Sequence, residues 1–576
     1  MKKFFPIVDW LSSYQKNDLR GDLFAGLTVG IMLIPQGMAY AMIAGLPPVD
    51  GLYASIVPQI IYAILGTSRQ ISVAPVAMDS LLVAAGVSVL ATEGTEAYIG
   101  FAILLAFFMG VFQFLLGVLK LGFITNLLAK PVISGFTSAA ALIIGLNQLK
   151  HLLGVEIQRS NAVFEIVINA INQIGNIHWL TFLIGIVGIL AIKGIKKIYP
   201  KIPGALIAVA LGTIIVYLFQ LNESNVKIVG SIPEGLPSVM LPDLSLGQFA
   251  KLTPLALTIS IVAFMEAFSV AKALEAKKRN YKVIPNQELI ALGAANFFGS
   301  FFQSFPVTGG FSRSAVNFQA GANTPLASVF SAILVAITLI FLTPLFYFLP
   351  NAILASIIIV AITGLFDFAY AKKLWKEDKL EFALLAITFF VTLHFSMVPG
   401  IVSGVIFSIL ILLYKAAYPH IAKLGKVSGT HEFRNIERFE NLEVWQGILI
   451  LRLDAPLSFI NIQYFSEYIQ SEIKKSKGEI NKIILDASPI SNLDATATQG
   501  LHDLLDLLNE MNVAFLICDV IGPVRDTLFR THLIDKIKRE NVFLNLEIAI
   551  DFVTNSSPQE HTNYALQSNY KAEKNK

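Results

Sequence analysis

Apolar residues in this chain come in long blocks, without the tight alternation or the three-and-four spacing of soluble elements. Ile99–Leu119 and Ala327–Leu349 are nearly unbroken apolar runs, each long enough to cross a bilayer core as a helix. About fourteen such segments lie between Leu23 and about Tyr414, several of them short or interrupted by Pro and Gly. At about 20 residues per span they would use roughly 280 residues and leave short loops. After Tyr414 the pattern changes. Residues 415–440 read as a polar linker carrying Lys415, Lys423, Lys426, Arg434 and Arg438. Beyond it, Ile448–Leu453, Lys482–Asp486 and Ala514–Cys518 read as strands. Ile462, Phe465, Ile469 and Ile473 repeat at helical spacing between the first two strands, and Leu501, Leu504, Leu505 and Leu508 do so after the second. The polar end, Asn555–Lys576, reads as disordered. The expected organisation is therefore a cytoplasmic segment 1–22, a transmembrane domain 23–414, a linker 415–440, a small α/β domain 441–554 and a disordered tail 555–576.

Composition agrees with a polytopic helical membrane protein. Of 576 residues, 55% are hydrophobic and 14% charged, too few charges to cover the surface of a soluble protein this long. A net charge of +3 with no basic-aromatic tract gives no sign of nucleic-acid binding. The single cysteine, Cys518, excludes an intrachain disulfide framework, and the eight histidines include no pair at ligand spacing. No metal, cofactor or enzymatic activity is expected, since no nucleophile–base constellation or phosphate-cradling loop occurs. His394, in a late apolar segment, reads as a hydrogen-bonded packing residue.

Basic residues give the topology. Lys2 and Lys3 precede a short apolar patch, but Lys16, Asp18, Arg20 and Asp22 follow before the first span, unlike a cleavable signal. Further clusters lie at Lys193–Lys201, Lys272–Lys282 and Lys372–Lys379, after the sixth, eighth and twelfth spans of this count. All are even positions, so a cytoplasmic N-terminus puts every cluster inside, together with the C-terminal domain. A multi-pass protein of the cell membrane with both termini cytoplasmic is the expectation.

Two segments break the membrane pattern in related ways: Ile71–Leu82, ISVAPVAMDSLL, and Phe305–Asn317, FPVTGGFSRSAVN. Each lies about fifty residues after the start of a long span (near Leu23 and near Leu255), and paired interruptions at matching places point to the binding site of an inverted-repeat transporter. A helix that begins in mid-membrane leaves its first N–H groups unpaired and carries about +0.5 charge at that end. Two such ends with Arg313 add up to about +2, which favours a small anion, divalent ones included. A charge at this depth costs about 2.5–3.5 kcal/mol on insertion scales and so faces a cavity or a partner.

The runs PQGMAYAMIAGLPPVDGLYASIVP (Pro35–Pro58), GTSRQISVAP (Gly66–Pro75) and NQELIALGAANFFGSFFQSFPVTGGFSRSAVN (Asn286–Asn317), with NLDATATQGL (Asn492–Leu501) near the end, resemble the SulP sulfate-permease family. The resemblance covers nearly the whole chain. It implies about fourteen transmembrane segments in two inverted seven-span repeats, a core domain moving against a gate domain in an elevator-like cycle, a homodimer, and a cytoplasmic STAS domain. It places an anion between the ends of the third and tenth spans, against the first: Gln36 and Tyr40 from the first, Val76 and Ala77 from the third, Phe311, Ser312 and Arg313 from the tenth. Gln36 and Tyr40 lie four apart and share a helix face, and Ser312 supplies a hydroxyl donor.

Glu266, midway along ISIVAFMEAFSVAKAL, is the candidate for cation coupling. A buried carboxyl can carry a proton and an ionised one can bind sodium, and the matching acid of the family is associated with such coupling. Asp79 stands where the family pattern leads one to expect a small or hydroxyl residue. Three residues after Val76, it can pair with Arg313, join the cation site or repel dianions. Thr496 falls where related anti-sigma-factor antagonists carry a phosphorylated hydroxyl, although Asp494 before it also describes an ordinary helix cap. The expected function is secondary active import of an inorganic anion, sulfate first, coupled to protons. Sodium-coupled bicarbonate transport, exchange and channel behaviour in the same family are the alternatives. Nucleobase permeases of this architecture fit less well, because Arg313 and two helix ends suit an anion. A signalling platform acting through a protein partner of the C-terminal domain is the reading from another class.

Overall fold

The apolar blocks fold as helices. The computed structural model describes residues 5–126, 129–157, 163–198, 204–242, 246–395 and 397–554; Lys2, Lys3, Lys201 and the tail 555–576 lie outside them. Among the described residues eight helices are long and apolar enough to cross a membrane, and four shorter apolar ones accompany them.

Their order repeats. The first half runs Lys16–Ile43, the pair Pro48–Tyr53 and Val57–Leu65, strand β1 (Val73–Ala74), Ala77–Val87, Glu96–Val118, Lys130–Asn147, the amphipathic Val163–Asn172, Trp179–Ile198 and Gly204–Leu218. The second half runs Leu246–Lys278, Pro285–Ser300, strand β2 (Thr308–Gly309), Phe311–Gln319, Leu326–Ile337, Asn351–Ile362, the amphipathic Phe368–Glu377, Lys379–His394 and Met397–Ala417. Setting aside those two amphipathic helices and the short Leu149–Leu153, and counting the pair Pro48–Tyr53 and Val57–Leu65 as one, each half has seven helical stretches. An odd number turns the second half upside down relative to the first. The halves meet at β1 and β2, which pair antiparallel as Val73↔Gly309 and Ala74↔Thr308.

Two packing groups follow from the side chains. Lys16–Ile43, Glu96–Val118, Leu246–Lys278, Pro285–Ser300 and Leu326–Ile337 pack together around the β1–β2 ribbon, while Lys130–Asn147, Trp179–Ile198, Asn351–Ile362 and Lys379–His394 pack mainly on one another. The first group is drawn tight by small residues, since helices in lipid approach most closely where side chains are absent. Where Glu96–Val118 crosses Pro285–Ser300, a Cβ on Gly293 would lie 2.4 Å from the Phe114 amide nitrogen and 2.8 Å from the Gly110 carbonyl. A Cβ on Gly110 would lie 2.4 Å from the Phe297 amide nitrogen. Across the same group Asp22, fully buried, accepts from the Asn323 and Thr324 amides at 2.7 and 3.0 Å and from the Thr324 hydroxyl at 2.6 Å.

From Ile409 onward the chain forms a second compact unit. Its sheet has the order β4 (Phe433–Asn435), β3 (Ile421–Val427), β6 (Ile448–Leu453), β7 (Lys482–Asp486), β8 (Ala514–Cys518), β9 (Val542–Phe543), with β5 (Leu442–Glu443) beside β3. Strands β6 to β9 are parallel and β3 is antiparallel to β6. One face is covered by Ile462–Lys475 and Ala495–Glu510, the other by Leu546–Thr554. With both faces buried, the strands are continuous apolar runs. The three strands read from the sequence match β6, β7 and β8. The reading of 415–440 as linker is corrected: β3 and β4 lie within it, and β3 sits beside β6 inside the sheet. Its lysines mislead because they are paired, Lys423 with Glu472 and Lys426 with Glu547.

Two outcomes test this packing. Gly293→Val forces the Glu96–Val118 crossing apart, at a cost of about 1–3 kcal/mol by overpacking. It should lower the thermal unfolding midpoint in detergent by several degrees, whereas Gly100→Ala, with open space around it, should not. Burial alone would push the Glu472 carboxyl up, but hydrogen bonds from Lys423 and Lys475 outweigh it and hold the group below its ordinary value of 4.5. A depressed folded value means stability that is present above pH 4.5 and lost as pH falls through the folded value. A fragment spanning 419–554 should lose thermal stability on acidification from pH 5, and Glu472→Gln should flatten that loss.

Candidate functional site

Both interruptions read from the sequence are breaks in the structure. Ala77–Val87 starts after the N-cap Val76 and Phe311–Gln319 after the N-cap Gly310, each cap residue extended and neither supplying a side-chain hydrogen bond. Among the described hydrogen bonds none engages the amides of Ala77, Met78, Phe311 or Ser312. The helices leave an antiparallel ribbon in opposite directions, so their positive ends flank the crossing.

The ribbon is held by backbone groups of both repeats and by side chains of the second. Gly310 donates its amide to the Ser72 carbonyl (3.1 Å), the Ser72 amide donates to the Ser314 hydroxyl (3.0 Å), and Asn317 donates to the Gln70 carbonyl (2.9 Å). Two buried residues of Pro285–Ser300 hold the approaches. Asn296 exchanges hydrogen bonds with the Val307 backbone at 2.9 and 3.0 Å. Glu288 accepts from the Tyr62 hydroxyl (2.6 Å), from the Thr67 amide and hydroxyl (2.7 and 2.6 Å) and from the Ser68 amide (3.2 Å). The Thr308 hydroxyl donates to the Ala263 carbonyl at 2.7 Å, which fixes Leu246–Lys278 against β2 and sets Glu266, three residues on, beside the site.

Arg313 is 2% exposed. Its Nη2 donates to the Ala74 carbonyl at 3.2 Å, its Nε has no partner, and it is in no ion pair among the described residues. The guanidinium folds back over Gly310, where a Cβ would sit 2.8 Å from Nη2. Electrostatic interactions link Tyr40 to Arg313, Arg313 to Glu266, and Glu266 to Asp79. Both Asp79 oxygens, Glu266 Oε2 and Gln36 Oε1 are buried without a hydrogen-bond partner. Asp79 and Ala77 are buried and Val76 half-buried, while Phe311 and Ser312 are exposed. Glu266 and Phe311 face a cavity of about 260 Å³ whose wall also includes Met78, Phe136, Met265 and Ile401. Gln36, Tyr40, Val76, Ala77, Ser312 and Arg313 are not in that wall.

Sequence reading missed the apolar wall and the two anchors. Phe136 and Ile401 sit on helices with no polar signature, so only the fold brings them here. Glu288 and Asn296 carry a signal, a charge and an amide within an apolar helix, that the binding motif overshadowed. His394 differs from expectation: it is exposed at the last turn of its helix, its ring edge-on to Phe395, because that face of Lys379–His394 turns away from its neighbours. In the second unit Asp494 caps Ala495–Glu510, accepting from the Ala497 amide at 2.8 Å and from the Phe459 amide at 2.8 Å, and Thr496 is exposed beside it.

Two helix starts with unengaged amides, a guanidinium and two carboxyls thus lie close together, chemistry that suits a negative solute. The Sulfate permease family profile matches residues 19–388 and the STAS domain profile residues 441–549. Probable sulfate transporter 4.2 of Arabidopsis thaliana is 39% identical over 564 residues, 95% of this chain and 83% of that protein. The murine Solute Carrier 26 family member A9 anion transporter in its inward-facing state has a TM-score of 0.88 at 26% identity, covering 95% of this chain and 94% of that one. The transmembrane domain of a cyanobacterium bicarbonate transporter shares the fold, with a TM-score of 0.60 at 22% identity over 69% of this chain and 98% of its own.

Gly310→Ala, at the N-cap of Phe311–Gln319, should push the guanidinium off its seat while leaving the amides of Phe311 and Ser312 unsubstituted. Losing one hydrogen bond to a charged group costs about 1.5–3 kcal/mol, so the variant should weaken sulfate-dependent thermal stabilisation in detergent by about tenfold or more in apparent affinity. The anion-free midpoint should fall too, because the bond to the Ala74 carbonyl is made without any anion.

Proposed function

The chain belongs to the sulfate permease family, and on that premise we propose that it imports sulfate in symport with protons by alternating access. The observation that carries the reading is the pair of uncapped helix starts meeting at the β1–β2 ribbon with Arg313 in the first turn of one of them. A dianion needs about two opposing charges in a dry site, and two helix ends with one guanidinium supply about that. The Arabidopsis relatives, named as sulfate transporters, favour sulfate as the cargo. Alternating access draws on the two packing groups with an apolar cavity between them and on the inward-facing state named for the murine relative. Apolar walls such as Phe136 and Ile401 can slide past a core that carries the ribbon, because they make no directional bonds that must break.

Glu266 is the coupling group in this reading. It lies within electrostatic reach of Arg313 without pairing to it. Ionised, it cancels the guanidinium's pull on sulfate; protonated, it leaves the site positive. Anion binding and protonation therefore favour each other, and the coupling is reciprocal. Asp79 adds a second negative group, and this favours a second reading in which a monovalent anion such as bicarbonate moves with sodium.

The test uses purified protein in liposomes with labelled sulfate and bicarbonate under separate proton and sodium gradients. An inward proton gradient should accelerate sulfate uptake severalfold, Arg313→Gln should reduce it to background, and Glu266→Gln should still exchange sulfate for sulfate while responding to the proton gradient markedly less than wild type. Uptake driven by sodium alone, or a Glu266→Gln variant driven by protons as strongly as wild type, would refute proton coupling through this residue.

A further inference from the structure

Asp79 is the least explained group in the molecule. It lies in the first turn of Ala77–Val87, is 0% exposed, and leaves both carboxyl oxygens without a hydrogen bond. It does not cap its own helix, and among the described residues it is in no ion pair. Helix Ala77–Val87 packs on Lys16–Ile43, Glu96–Val118, Lys130–Asn147 and Leu246–Lys278. Of the titratable groups on those elements, Glu266 interacts with Asp79; Tyr40 reaches Arg313, and Arg313, from Phe311–Gln319, reaches Glu266. Asp22, Glu96, Lys130 and Lys272 sit near the ends of their helices. An ionised carboxylate buried with no donor costs several kcal/mol, and a second carboxylate beside it adds repulsion. Such a group is retained only where something transient neutralises it.

The charges add up in a telling way. Two helix starts contribute about +0.5 each and Arg313 contributes +1, giving about +2. Two ionised carboxylates cancel this, one proton on the pair leaves about +1, and two leave about +2. Resting on the transport reading above, we propose that Asp79 and Glu266 form a two-carboxyl proton site whose occupancy matches the charge of the cargo, two protons accompanying a dianion and one a monoanion. Each proton binds a carboxylate oxygen on the side where the anion enters, crosses with it, and leaves to the opposite side. The protein is unchanged at the end of the cycle, and the cargo is carried with no net charge. Asp79 is thus a specificity-determining residue: it sets how many protons each anion needs.

The experiment reads charge and stoichiometry together in proteoliposomes loaded with a pH dye, using labelled sulfate and a clamped membrane potential. Wild type should move two protons per sulfate, and an inside-positive potential should leave the accumulated sulfate unchanged. Asp79→Asn should move one proton per sulfate and become electrogenic, with accumulation rising about tenfold for each about 60 mV inside positive. Asp79→Glu should restore two protons, and Asp79→Ser should repeat the asparagine result should the amide variant not fold. A sulfate current in wild type, or a proton ratio unmoved by removing the Asp79 carboxyl, would overturn the two-carboxyl site while leaving sulfate transport intact. Absence of any sulfate uptake by wild type would instead overturn the transport reading on which the site rests.

Discussion

Backbone amides cannot be left bare in hydrocarbon, and the architecture is organised around one place where they are. Within lipid, non-helical backbone persists only where protein or a water-filled cavity surrounds it. Here two chain segments stop being helical at the same place and satisfy each other through a two-residue ribbon, β1 against β2. Ser72, Asn296, Ser314 and Asn317 supply the remaining hydrogen bonds. The amides that stay open are those at the starts of Ala77–Val87 and Phe311–Gln319. The glycine crossings of the surrounding helices follow from the same need: with so little regular structure at its centre, the bundle is held by close backbone contact.

The inverted repeat explains why the ribbon exists at all. A single break would leave an unpaired strand edge in the membrane. Two copies of the same break, brought together in opposite orientation, pair as an antiparallel ladder, and antiparallel pairing is what two inverted segments make on meeting. The departures from symmetry are then informative. The second copy carries Gly309 and Gly310 and an arginine; the first carries Pro75, Val76 and an aspartate. One break thus brings a fixed positive charge and the other a neutralisable negative one, so the repeat gives scaffold and its divergence gives chemistry.

Much of this was legible in the chain itself. The two interruptions stood out because Pro, Gly and polar groups are rare in a spanning helix, and β6, β7 and β8 stood out because strands buried on both faces read as unbroken apolar runs. The assignment failed where charge hid structure. Lys423 and Lys426 look like linker residues, yet they neutralise Glu472 and Glu547 and leave β3 within the sheet. The walls of the cavity were illegible for the opposite reason. Phe136, Met265 and Ile401 are apolar residues in apolar helices, and nothing local separates a cavity lining from a lipid contact. Asp79 and Glu266 could be named from the sequence as charges out of place, but their being neighbours required the fold, because 187 positions separate them in the numbering.

The proposed carboxyl pair also constrains how a moving core would have to be charged. A core that crossed the membrane with its charges unbalanced would meet a steep barrier, since each uncompensated charge at depth costs about 2.5–3.5 kcal/mol on insertion scales. Two fixed half-charges and a guanidinium cannot be switched off, whereas two carboxyls can be neutral or negative according to their protons. The empty site is closest to neutral with both ionised; the loaded site is closest to neutral when protons replace the charge that the anion cancels. On the transport proposal, either state passes the apolar wall more cheaply than the half-loaded states, a bare anion or bare protons. Coupling on this view needs no mechanical linkage between anion and proton. It follows from placing neutralisable acids beside permanent positive charge inside a wall that tolerates neither excess.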